Sequence, residues 1–103
     1  MKPVLVHPKA TTELDEAIVY YESKVTGLGL DFLASVEQAI QKIQNNPHTW
    51  PPHTDARFRK YLLERFPYSV FYMERPEAIW IAAIAHAKRR PDYWRRRKLP
   101  PSV

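Results

Sequence analysis

No cysteine occurs in this chain, which excludes disulfide frameworks, thiol catalysis and zinc sites built on thiolates. The same absence fits a reducing compartment. Glycine is almost as scarce: the two present, Gly27 and Gly29, fall in one stretch, so permissive backbone is concentrated at a single reversal. No apolar run approaches the ~20 residues that a membrane span requires, and no N-terminal segment has the form of a signal peptide. The expectation is a cytoplasmic protein without membrane attachment. Histidines 48 and 53 lie in a proline-rich loop without the further histidines or carboxylates of a metal-ligand pattern. Neither a metal nor an organic cofactor is indicated.

What is present suffices for one folded domain, residues 1–103, with 45% hydrophobic and 13% aromatic residues. Charge is divided unevenly. Residues 1–56 carry 4 Lys/Arg and 7 Asp/Glu, a net of −3, whereas residues 57–103 carry 12 and 4, a net of +8. Such asymmetry points to a basic face that meets phosphates or an acidic protein segment.

Val4-Leu5-Val6 reads as an opening strand, ended by His7-Pro8 with proline at the first position of a helix. Ala10, Leu14, Ala17, Ile18, Tyr21 and Val25 recur at three- and four-residue steps and mark one face of that helix. Glu13, Asp15 and Glu16 occupy other faces and favour its N-terminal half through the helix dipole. After Thr26-Gly27-Leu28-Gly29, a second stripe of Phe32, Leu33, Val36, Ala39, Ile40 and Ile43 predicts a helix from about Leu30 to Gln44. The two helices form an αα-hairpin that covers one face of a sheet. In the loop that follows, Trp50 is expected to pin the chain against the core.

Three β-like runs come next, Arg57–Arg65, Phe66–Arg75 and Ile79–His86, rich in aromatic and β-branched residues. The short turn Arg75-Pro-Glu-Ala78 makes the last two antiparallel. Strict alternation puts Tyr68, Val70 and Tyr72 on one face of the middle run, with Ser69, Phe71 and Met73 on the other. In the last run, Ile79, Ile81, Ala83 and Ala85 alternate with Trp80, Ala82, Ile84 and His86. Both faces are largely apolar, so both need cover; the C-terminal segment or a partner chain is expected to supply the second layer. Asp92 is expected to cap a short final helix after Pro91, or to pair with a neighbouring arginine.

The order and spacing of these pieces resemble the RelE/ParE superfamily of toxins from bacterial type II toxin–antitoxin modules. The resemblance rests on Tyr20-Tyr21, Gly29-Leu-Asp-Phe32, Pro47, Phe66-Pro-Tyr-Ser-Val-Phe-Tyr72, and above all Ala83-Ile-Ala-His-Ala-Lys-Arg-Arg-Pro-Asp-Tyr-Trp94 with Arg97. It implies an α+β fold of order β-α-α-β-β-β, an antiparallel sheet packed on an αα-hairpin. It also implies a hetero-oligomer with a cognate, ParD-like antitoxin, a segment of which would lie on Arg59, Arg65, Tyr68, Tyr72 and His86.

The resemblance divides by target. RelE-like members cleave messenger RNA on the ribosome, and their pattern places an arginine three residues before a tyrosine in the middle strand. Here the tyrosine is Tyr72 and the position holds Ser69, which cannot offset the charge that develops on the phosphorane. The ParE-like branch, whose members poison DNA gyrase and are not known as nucleases, is therefore favoured. Its expected target contacts are Arg89, Arg90, Tyr93, Trp94 and Arg97. If the chain were instead a ribosome-dependent nuclease, His86, Lys88, Arg89 and Tyr93 would carry the reaction, with Arg57, Arg59 or Arg65 replacing the missing arginine in space. A non-enzymatic nucleic-acid-binding module is the further alternative.

Overall fold

The computed structural model describes residues 1–98. Its first reversal is made by His7 and Pro8. Strand β1 (Val4–Val6) stops there, and helix α1 (Pro8–Lys24) begins with proline at the position where no N–H is needed. His7 completes the cap: its Nδ1 accepts the Lys9 N–H at 3.0 Å.

Helix α2 (Leu28–Asn45) starts two residues earlier than its apolar stripe predicts. Gly27, at φ 87°, offers no side chain to cap it. Glu22 of α1 does so instead, accepting the N–H of Gly27 at 2.9 Å and of Gly29 at 3.0 Å, which satisfies two otherwise orphaned donors. Gly29 is also where the helices press closest. A Cβ there would stand 2.6 Å from the Ile18 carbonyl oxygen.

Strands β2 (Arg59–Leu62), β3 (Tyr68–Glu74) and β4 (Ile79–His86) form the antiparallel meander. β1 adds to it in parallel, giving the order β1-β4-β3-β2 with β4 in the interior. The arrangement is the α+β, β-α-α-β-β-β fold. Both helices lie on one face, where Phe32, Val36 and Ile43 meet Val70, Tyr72, Ile79 and Ile81. Tyr21 packs edge-on to Phe66 at a centroid distance of 4.9 Å and tilts against Phe32 at 5.2 Å, and Trp50 packs on Tyr61 at 4.8 Å, pinning the long loop.

Alternation along β4 does not run unbroken. Phe71 pairs with Ala83 but Tyr72 pairs with Ile81, so Ala82 is an extra residue in a β-bulge. The bulge reverses the phase: Ile79, Ile81 and Ile84 face the helices, whereas Trp80, Ala82, Ala83 and Ala85 face away. The second face is covered by the chain itself. Trp94 stacks on Phe71 at 4.3 Å and meets Phe58 edge-on at 4.7 Å.

A candidate target-binding face at the end of β4

Beyond His86 the chain runs through successive turns, closed by Arg89 N–H to the His86 carbonyl, Arg95 N–H to Asp92 and Arg97 N–H to Trp94, each at 3.0 Å. Among the described residues beyond His86 no helix forms. Asp92 takes φ 59° and its carboxylate meets His53 Nε2 at 2.7 Å, so among the described residues it pairs with a histidine and neither caps a helix nor pairs with an arginine. That contact ties the segment to the long loop.

The five residues expected to meet the target separate into two groups. Arg89 and Arg90 are exposed. Trp94 is 1% exposed, because its indole is the plug of the second core layer, and it is not available for stacking on a target. Arg97 is likewise turned inward: its guanidinium holds Glu13 through two contacts, at 3.0 and 2.9 Å, and donates to the Ala82 carbonyl at 3.0 Å. Tyr93 is half-buried, its hydroxyl donating to Glu13 and its ring flanked by the guanidinium groups of Arg89 at 4.0 Å and Arg97 at 5.2 Å. Burial, and then the hydrogen bond to Glu13, raise the Tyr93 phenol well above its ordinary value, so it remains a neutral donor. The outward surface of the segment is therefore cationic and almost without apolar anchors: Lys88, Arg89, Arg90, Arg95, Arg96 and Lys98 are all exposed.

Glu13 carries far more than a helix-dipole role. β1 is too short to pair with the rest of β4, and at that open edge the Ile84 N–H donates to Glu13 at 3.0 Å while Ala82 O is taken by Arg97. The pair does for the edge what a longer strand would do. Partners 71 to 84 residues away leave no local signal in the sequence.

The residues expected to meet an antitoxin also divide. Tyr72 is wholly buried and its hydroxyl donates to the Pro47 carbonyl at 2.6 Å, so it is a core residue rather than a contact. Arg59 holds the Trp50 carbonyl at 2.6 Å, and Arg65 remains exposed beside Asp31 at 3.1 Å. Tyr68 and His86 stay half-accessible, packed edge-on at 5.0 Å.

Ser69 is 6% exposed and forms part of a cleft of about 230 Å³. None of the three candidate arginines fills the gap. Arg57 is held by Asp55, whose carboxyl its hydrogen bond lowers to about 2; Arg59 pairs opposite Tyr72, on the helix-facing side; Arg65 is beside Asp31. The cation on the cleft face of β2 is Lys60, opposite Phe71, a residue that alternation along β2 was able to place there. His86 Nδ1 accepts the Lys88 N–H at 3.0 Å, which points Nε2 of the neutral ring outward as the donor. Among the described residues no group of three or more His, Asp or Glu side chains is placed to hold a metal, and no helix is long and apolar enough to cross a membrane.

The fold is that of a small type II toxin, and the chain belongs to the family described as ParE toxin of type II toxin-antitoxin system, parDE, which matches residues 4–91. A solved structure titled "Chromosomal ParDE TA system from P. aeruginosa" is similar to it, with a TM-score of 0.64 and 22% identity over 85% of this chain and 98% of that one. That likeness is one of fold. No curated protein sequence matches the chain. The family match ends before Asp92, so Tyr93, Trp94 and Arg97 lie beyond it.

Proposed function

We propose that this chain is a toxin that inhibits DNA gyrase in the cytoplasm and is neutralised by a ParD-like antitoxin. The observation that carries the reading is the cleft at Ser69, where the middle strand supplies no guanidinium at the position that the nuclease pattern requires. Arg89 and Arg90, with the neighbouring Lys88, Arg95, Arg96 and Lys98, form the contact to the gyrase–DNA complex. The antitoxin, an amphipathic segment with acidic residues, covers Arg65, Tyr68 and His86 and reaches the same basic face, hiding apolar surface and charge together.

A second reading, messenger RNA cleavage on the ribosome, draws its support from Lys60, whose ammonium shares the cleft with Ser69 and Arg89. One experiment separates the two. Purified protein is incubated with gyrase and supercoiled DNA, and separately with a translating ribosome mixture. Accumulation of cleaved DNA with intact messenger RNA is the expected result. Cut messenger RNA with untouched DNA would overturn the gyrase reading and put Lys60 in the role of the missing arginine.

A further inference from the structure

The segment that presents the basic face contains its own difficulty. Seven cations lie within eleven residues, from Lys88 to Lys98, and all but Arg97 take part in no ion pair among the described residues. Blocks of like charge repel one another and ordinarily leave a chain extended and unstructured. Here the chain instead keeps one shape, so something must offset the repulsion.

Three anchors hold it. Trp94 inserts between Phe58 and Phe71, Asp92 meets His53, and Glu13 gathers Tyr93 and Arg97. The third differs from the others in kind. Glu13 accepts four hydrogen bonds, from Ile84 N–H, the Tyr93 hydroxyl and two guanidinium nitrogens of Arg97, and so joins α1, β4 and the segment at one carboxylate. Its side chain is 11% exposed and that of Arg97 10%. A charge-assisted, bidentate pair withdrawn from water fixes direction as well as position. It is also strongly disrupted when one partner is lost, because the other charge is then stranded.

We propose that Glu13 is a positioning residue that holds the Lys88–Lys98 segment in its target-binding shape, with Arg97 as the anchor it grips rather than a contact for the target. This rests on the reading of that segment as the target-binding face. The division of labour is geometric: the inward side of the segment, Tyr93, Trp94 and Arg97, is spent on attachment, and the outward side is left to bind.

The test pairs amide hydrogen exchange with growth inhibition and gyrase-dependent DNA cleavage. In Glu13→Gln the amide nitrogen would face the Arg97 guanidinium, and the exchange rates of the Ile84, Arg95 and Arg97 amides are expected to rise roughly ten- to hundredfold. The amides of α2 should keep their protection, and toxicity should fall with the segment's order. The double variant Glu13→Gln/Arg97→Gln removes the stranded charge and lets two neutral amides hydrogen-bond. Both the protection of Arg95 and the toxicity should then return in large part. Glu16→Gln, one turn along and exposed, serves as the control. Unchanged exchange in Glu13→Gln overturns the proposal. Restored protection without restored toxicity in the double variant would make Arg97 a target contact and overturn its role as anchor. Should Glu13→Gln fail to fold, Tyr93→Phe removes one hydroxyl alone and is expected to speed exchange at Arg97 while sparing α2. Exchange that behaves as expected, with toxicity that survives charge reversal of Arg89 and Arg90, would sink the target-face reading and leave the positioning role intact.

Discussion

His7 illustrates how much one side chain decides in so small a domain. Its Nδ1 caps α1 only while the ring is neutral. Burial first, then Arg97 and Lys9, hold its value below the ordinary 6.5 in the folded chain. The unfolded chain therefore takes up this proton first as pH falls, so the cap's contribution is present above that ordinary value and is lost as pH drops through the folded one. Thermal unfolding at pH 7.5 and pH 5 should show a smaller pH-dependent loss of Tm in His7→Asn, a cap that does not titrate, than in the parent chain; equal losses would remove His7 from the account. Tyr72 offers a second residue-scale check. Tyr72→Phe deletes the bond to the Pro47 carbonyl without creating a cavity, at a cost of about 1 kcal/mol in denaturant unfolding. Antitoxin affinity should not change, since the residue is wholly buried.

Among the elements, the helical hairpin depends on the contact at Gly29. Gly29→Ala would drive a methyl group to 2.6 Å from the Ile18 carbonyl, and backbone cannot yield as a side chain tip does. A loss of roughly 1–3 kcal/mol and a lower Tm are expected, as for other overpacked sites; a neutral substitution would mean that the helices part easily. Both helices were legible from their apolar stripes, because a 3.6-residue period is a local signal that packing then amplifies. The meander was legible from its β-rich runs and two-residue alternation, which are equally local signals. The bulge at Ala82 was not, since neighbouring alanines look alike on either face and only the pairing of Tyr72 with Ile81 reveals the slip. Trp94 misled for a related reason. Among so many charged neighbours it reads as a stacking residue, yet the apolar second face of β3 and β4, whose need for cover was evident, is where it inserts. Arg97 and Tyr93 followed it inward through a partner, Glu13, that is invisible at short range.

For the molecule as a whole, the uneven charge acquires a location. Seven of the twelve cations of the basic half gather on one segment at the end of β4. Arg89→Glu/Arg90→Glu should abolish growth inhibition while leaving the thermal transition within about 0.5 kcal/mol of the parent, as befits exposed positions. Toxicity that persisted with the fold intact would take the target contact away from this face.

The parallel pairing of β1 with β4 has a consequence for the birth of the protein. Residues 4–6 find their partners at 79–81, and the sheet's outer layer waits for Trp94. A chain made from its N-terminus cannot close this sheet until residues 79–81 have been synthesised. The αα-hairpin can form early, but the basic face acquires its shape only once Trp94 and Arg97 have been added. A partner present during synthesis therefore meets the helical hairpin before it meets an ordered basic face.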